Sequence, residues 1–225
     1  MAVAEFRIRR SPRARRVRVM VDGDGTVVVT LPRRAPERAA AEAVEELAPW
    51  IARRLQALQR AANEVAREPG TLPYLGQDLR VVAEPGRTRV HRRGDELLVP
   101  AGDAREAIER FYRRRARVEI GARLDAAVAR AGTKYTGLTI RGQRTRWASC
   151  SSTGAMSFNW RLLLAPEAVL DYVIEHEVCH IEVMDHSPRF WALLESRVPE
   201  WREHSTWLRR YGSTLVLDST LRSAA

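Results

Sequence analysis

The run from Pro166 to about Met184 constrains the fold more than any other part of the sequence. Its apolar residues recur at helical spacing, and a proline suits the first turn of a helix because its missing N–H needs no partner there. Inside the run, residues 176–180 read His-Glu-Val-Cys-His. Residues four apart on an α-helix differ by about 40° around the axis, so His176 and His180 aim at one point. The pattern predicts a helix that carries two imidazoles on one side.

A third histidine follows this predicted helix. His186 comes six residues after His180, and a continued helix would carry it about 9 Å further along the axis. The chain must therefore bend, and Ser187-Pro188 is typical of a new helix that starts immediately afterwards. Catalytic zinc commonly has three protein ligands and an open fourth position. We predict that His176, His180 and His186 bind one zinc ion.

Glu177 lies on the same side of the predicted helix as His180, where its carboxylate can reach a water on the metal. The H-E-x-x-H pattern is typical of zinc-dependent peptidases. We therefore predict a zinc-dependent metallohydrolase, with a peptidase as the leading hypothesis and Glu177 as the general base. Two alternatives stay open: a nucleotide or phosphoester hydrolase that uses the same site, and a nucleic-acid-associated protein with a structural zinc. A structural zinc needs no base, which weighs against the second alternative.

Three arginines flank the strands that we expect to line the cleft. Guanidinium groups bind phosphates and stabilise oxyanions, so Arg144, Arg146 and Arg161 are candidate substrate or oxyanion contacts. Salt bridges to Glu175 or Glu182 are an equally good interpretation of these arginines. Both interpretations place the three side chains near the predicted helix.

The formal net charge of +10 favours a polyanionic partner such as nucleic acid. All 38 basic residues except Lys134 are arginine, however, and a GC-rich genome explains that ratio equally well. The densest basic stretch runs from Arg7 to Arg18. It is either a DNA-binding ribbon or a solvated strand edge, which strands need to avoid aggregation. DNA is therefore a candidate partner, beside a protein or peptide substrate.

The order of periodic segments predicts an α+β protein. Alternating valines over 6–32 indicate a β-hairpin, a long helical pattern follows over 37–67, and short strands continue to about residue 99. We therefore predict a β-rich N-terminal region with a long helix at 1–100. The predicted metal-binding domain, 101–217, combines a small antiparallel sheet with the H-E-x-x-H helix, and 218–225 is expected to be a disordered tail.

Cysteine usage and hydropathy indicate the compartment. Cys150 and Cys179 do not suggest a disulfide framework. No apolar run reaches the roughly 18 residues that a membrane-spanning helix needs, and the first residues lack the apolar core of a secretory signal. We expect a cytoplasmic protein without a membrane partner.

The stretch from Arg144 to Trp191 resembles the YgjP-like metallopeptidase family, which is related to the SprT-like zincins. The resemblance rests on four motifs in order: Arg-Trp-x-Ser-Cys-Ser at 146–151, Asn-Trp-Arg at 159–161, H-E-x-x-H, and His-Ser-x-x-Phe-Trp at 186–191. A weaker likeness extends to the N-terminal region, so almost the whole chain is covered.

This resemblance implies a zincin-like minigluzincin fold. It also implies zinc on His176, His180 and His186 with Glu177 as the general base, in agreement with the interpretation from spacing. Relatives of the family include proteases that act on DNA-bound proteins, which adds such proteins to the candidate partners.

Overall fold

A computed structural model describes residues 5–143 and 146–217. Its contacts divide the chain into two compact units, one ending at Ala66 and the other beginning at Arg67. The described residues form ten strands and six α-helices, which confirms the predicted α+β class. The candidate contact Arg144 and the predicted tail at 218–225 lie outside the described residues.

The first unit contains a three-stranded sheet with the order β1-β3-β2. Its strands are β1 (Phe6–Ser11), β2 (Arg18–Val21) and β3 (Val27–Pro32). β2 and β3 form the predicted antiparallel hairpin, whereas β1 pairs parallel with β3. The sequence pattern did not indicate this parallel pairing because nothing local specifies it.

Two helices cover one face of this sheet, α1 (Arg38–Glu46) and α2 (Ala48–Glu64). The prediction of one long helix is wrong here, since the chain breaks at Leu47, which has φ −93° and ψ 6°. Pro49 explains the break: it lacks an N–H, and its ring would collide with the carbonyl of the preceding turn. The helices bury their apolar residues against β3, and this core contains Val27, Val29, Leu31, Val44, Ile51 and Leu58.

The second unit begins with a four-stranded sheet of order β4-β5-β7-β6. The strands are β4 (Thr71–Tyr74), β5 (Gln77–Glu84), β6 (His91–Arg93) and β7 (Glu96–Pro100). The sequence interpretation assigned these strands to the N-terminal region, with a boundary near residue 100. The contacts instead divide the chain between residues 66 and 67, because these strands share a hydrophobic core with the rest of the second unit.

α3 (Arg105–Arg130) forms the centre of that core. Its inward side chains are almost completely buried, among them Ile108, Tyr112, Ile120 and Leu124. The Tyr112 hydroxyl donates to the carbonyl oxygen of Pro73 in β4 at 2.7 Å. This buried hydrogen bond joins the four-stranded sheet to α3 and explains in part why the boundary does not fall at residue 100.

A second three-stranded sheet follows α3, with the order β8-β10-β9. It contains β8 (Gly137–Arg141), β9 (Ala148–Cys150) and β10 (Ala155–Asn159). β10 is antiparallel to β9 but parallel to β8, so this sheet is mixed rather than wholly antiparallel as predicted. β10 ends at Asn159, because the Asn159 side chain caps a short 3-10 helix, Trp160–Leu164.

The remaining chain is helical. α4 (Glu167–Glu182) is the predicted H-E-x-x-H helix, and α5 (Pro188–Arg197) is the predicted restart after Ser187. α6 (Trp201–Tyr211) ends the helical segment. Among the residues that the structure describes, no helix is both long and apolar enough to cross a membrane.

Candidate metal centre

The three predicted ligands converge at one point of the second unit. His176 and His180 lie on α4, and His186 lies between α4 and α5. One ring nitrogen of each lies within 4.8 Å of the others, and the Nε2 atoms of His176 and His186 are 3.1 Å apart. Two nitrogens bound tetrahedrally to zinc at about 2.0–2.1 Å would be roughly 3.3 Å apart. The spacing therefore fits a single zinc ion.

His186 reaches this point because the chain bends at the end of α4. α4 ends at Glu182, and Val183 is already extended with φ −137° and ψ 100°. The Asp185 carboxylate then accepts a hydrogen bond from the Ser187 N–H at 3.2 Å. This turn brings the chain into α5, as the Ser-Pro signal predicted, and leaves His186 beside the side chains of α4.

A hydrogen bond assigns the tautomer of His180. Its Nδ1 lies 3.2 Å from the carbonyl oxygen of Val183. A carbonyl oxygen can only accept, so Nδ1 carries the hydrogen and Nε2 presents its lone pair. Histidine ligands commonly make this kind of bond through the nitrogen that does not bind the metal. The Nδ1 of His176, in contrast, is buried without a hydrogen-bond partner among the described residues.

The environment favours neutral imidazoles. Burial, together with the like charge that His180 and His186 carry when protonated, lowers the pKa of His176 to about 3. Burial also lowers the pKa of His180. Neutral imidazole is the form that binds a metal, so the residues present fit the predicted ion.

An aromatic residue from α5 holds the three histidines. Phe190 is fully buried. Its ring stacks on His180 at a centroid distance of 4.5 Å, and it lies 4.9 Å from His176 and 4.8 Å from His186. Trp191 lies 5.4 Å from His186 on the same helix. These rings pack against all three imidazoles of the cluster.

Glu177 points from the same helix towards β9. Only 6% of its surface is exposed, and this burial raises its pKa to about 7. The backbone N–H of Cys150 donates a hydrogen bond to the carboxylate, which opposes the rise. Glu177 does not belong to the group whose ligand atoms converge. Its carboxylate is therefore separate from the three nitrogens that could hold a metal.

Sequence reasoning missed a tyrosine at this site. The ring of Tyr172 lies 6.0 Å from that of His176 and 6.2 Å from that of His204 on α6. His204 is half-buried. A signal was present, because Tyr172, His176 and His180 are successively four apart and share one side of α4.

The structure describes two of the three candidate arginine contacts. Arg146 is exposed. The Arg161 guanidinium lies 4.7 Å from the centre of the Trp160 ring and donates to the carbonyl oxygen of Gly142 at 3.3 Å. Neither of these contacts involves a histidine of the cluster. A role for Arg146 or Arg161 in binding substrate stays a prediction.

Glu175 and Glu182, the alternative salt-bridge partners for those arginines, form ion pairs with other arginines. Glu175 forms an ion pair with Arg130, and Glu182 forms one with Arg197. Arg197 also donates to the Sγ atom of Cys179 at 3.5 Å. The Cys179 side chain is fully buried, and this burial raises the pKa of its thiol to about 11.

Comparison with known proteins identifies the class. A family model described as "YgjP-like, metallopeptidase domain" matches residues 15–211. The protein is therefore a metallopeptidase, a hydrolase whose family acts on protein or peptide substrates. More narrowly, the chain belongs to the YgjP-like family, as its motifs suggested.

A search of curated proteins gives no match. Among solved structures, the chain is similar to the metallopeptidase zymogen of Pyrococcus abyssi abylysin, with a TM-score of 0.38 and 22% identity. That similarity covers 43% of this chain and 99% of the other.

Proposed function

We propose that the protein is a zinc-dependent peptidase in which His176, His180 and His186 hold the metal and Glu177 acts as the general base. The convergence of three imidazole nitrogens within 4.8 Å carries this proposal. A buried carboxylate one residue after the first ligand supports it. The donor set is the one that catalytic zinc prefers, with a fourth position left for water or substrate.

The chain supplies the proton transfers of the reaction. A bound zinc ion supplies Lewis acidity towards a peptide carbonyl and acidifies a water molecule. Glu177 accepts the proton of the attacking water and delivers it to the nitrogen of the leaving amine. The Cys150 N–H orients the carboxylate for both steps. Phe190 keeps the imidazoles in place.

The test is the substitution Glu177→Gln, which keeps the shape of the side chain and removes the base. We expect about one zinc per chain to be retained while cleavage of a casein-like substrate falls by about 10²- to 10⁴-fold. Glu182→Gln is the matched control, because Glu182 lies on the same helix and is exposed. Wild-type cleavage by Glu177→Gln would show that the assigned mechanism is wrong.

A parallel screen with nucleoside triphosphates separates the alternative reaction. We expect no hydrolysis of nucleotides by the wild-type protein. If nucleotides are hydrolysed, and this activity disappears in Glu177→Gln while no protein substrate is cleaved, the site is a phosphoester hydrolase instead.

A further inference from the structure

The sheet of the first unit has two faces of different character. Residues that pair across neighbouring strands lie on the same face of a sheet. Val27, Val29 and Leu31 face the core that α1 and α2 cover. The alternate residues face the opposite way. We name that side the arginine face, and it consists of Arg7, Arg9, Arg18, Met20, Val28 and Thr30.

The strand register arranges the arginines in rows. Thr30 of the central strand pairs with Arg9 on one side and with Arg18 on the other. In the next row, Val28 lies between Arg7 and Met20. The Arg9 guanidinium donates to the Thr30 hydroxyl at 3.0 Å, which independently places these two side chains on one face.

The arginines of this face are exposed, and the residues between them are not. Arg7, Arg9 and Arg18 are all exposed, whereas Val28 and Thr30 retain only 9% and 7% exposure. Neither belongs to the core beneath the helices. Long arginine side chains commonly cover apolar surface with their stems and keep their charge in water.

Among the described residues, no carboxylate forms an ion pair with the three arginines of this face. Residues 6–21 contain seven arginines and no acidic residue. Arg9 and Arg18 are two strands apart, or about 10 Å, and Arg7 and Arg9 are about 6.7 Å apart along their strand. Like charges this close repel one another.

Arginine-rich composition does not explain this segregation. On α3 the arginines are interleaved with glutamates one turn away, as in the pairs Arg113–Glu109 and Arg123–Glu119. A bias in the genome would supply arginine to both regions. Such a bias does not explain why carboxylates pair with arginines on α3 while the arginine face contains none.

We propose that the arginine face binds the phosphate backbone of a nucleic acid without reading its sequence. The planar guanidinium fork matches phosphate oxygens, and charges repeating in two directions suit a polymer with a dense, regular charge. The face carries no aromatic side chain on which a base could stack, so contact is confined to the backbone. The proposal is independent of the metal site.

The test uses the full chain and a labelled DNA duplex of about 20 base pairs, with fluorescence anisotropy at about 50 to 200 mM salt. The variant changes Arg7, Arg9 and Arg18 together to glutamine. The matched control changes Arg38, Arg53 and Arg60, which are exposed on α1 and α2, in the same way. Each variant loses the same charge from the same unit.

We expect the wild-type chain to bind with a steep salt dependence. In the face variant, the slope of log K against log salt should fall by about 2 to 3, and affinity at about 100 mM salt should drop at least tenfold. The control should keep the wild-type slope. Equal losses in both variants, or no binding by the wild-type chain at low salt, would overturn the proposal. Equally tight binding of polyglutamate would overturn the choice of nucleic acid.

A second measurement uses only the wild-type chain, so its result does not depend on whether a variant folds. Amide hydrogen exchange of the wild-type chain with saturating duplex should slow over 6–21 and stay unchanged in α2. Slowing in α2 with no change over 6–21 would place the nucleic acid elsewhere. Circular dichroism of each variant establishes whether its binding data describe a folded chain.

Discussion

The histidine cluster of the second unit and the arginine face of the first unit organise their polar groups in opposite ways. In the cluster, aromatic rings pack against the imidazoles, and burial lowers the pKa of His176. On the arginine face, the guanidinium groups are exposed, and no ion pair in the described part of the chain includes them. Packing fixes the orientation of the imidazole rings, which tetrahedral coordination of zinc requires. Exposure leaves the guanidinium groups accessible to a partner with regularly repeating negative charges.

Removal of a ligand histidine should give the largest effect in this comparison. We expect His180→Ala to abolish peptide hydrolysis and to weaken zinc binding by on the order of 10³-fold or more, because each ligand contributes several kcal/mol. His91→Ala is the control, since His91 is exposed on β6. Zinc content and cleavage rate are measured on both. Retained zinc and activity in His180→Ala would remove this residue from the metal site.

The next prediction concerns the support of the cluster. Phe190→Ala should lower the free energy of unfolding by about 3–5 kcal/mol, since it removes a fully buried ring. It should also weaken zinc binding, because the ring stacks on His180. Phe190→Leu fills most of the space, so it should restore most of the stability. Urea unfolding and zinc titration measure the two effects. Unchanged zinc affinity in a folded Phe190→Ala would show that the ring stabilises the core without holding the ligands.

The local parts of this structure were predictable from the sequence. The spacing of His176 and His180 predicted their shared side of α4, and Ser187-Pro188 predicted the bend that returns His186. These features depend on a few consecutive residues. The break before α2 was also predictable, because Pro49 gave the signal.

The longer-range parts were not predictable in this way. Pairing of β1 with β3 brings together residues about twenty apart, and no local pattern specifies its parallel direction. The boundary at residues 66 and 67 depends on tertiary burial, such as the Tyr112 hydrogen bond to Pro73. Side-chain contacts of this kind cannot be predicted from local sequence, because they depend on how distant segments pack in the core.

The smallest predicted effect contrasts one arginine from each region. Arg18→Gln removes a like charge about 10 Å from Arg9, so it should leave stability unchanged or raise it by a few tenths of a kcal/mol. Arg123→Gln removes a side chain that pairs with Glu119, Glu167 and Asp171, so it should lower stability by about 1 kcal/mol. Native-state amide exchange in β3 and in α3 reports on the two units separately.

The signs of these two changes in stability test whether the arginines of the arginine face and those of α3 have different roles. If an arginine contributes only to the stability of the fold, replacing it should destabilise the unit that contains it. This holds for both units. If Arg18→Gln destabilises the first unit, as Arg123→Gln is expected to destabilise the second, then Arg18 contributes to the stability of the fold. That result would contradict a role for Arg18 in binding a partner. Opposite signs would mean that the arginine face costs stability in the free protein. Duplex DNA should then slow exchange in β3 of the wild-type chain more than in β3 of Arg18→Gln, because the bound phosphates relieve the repulsion.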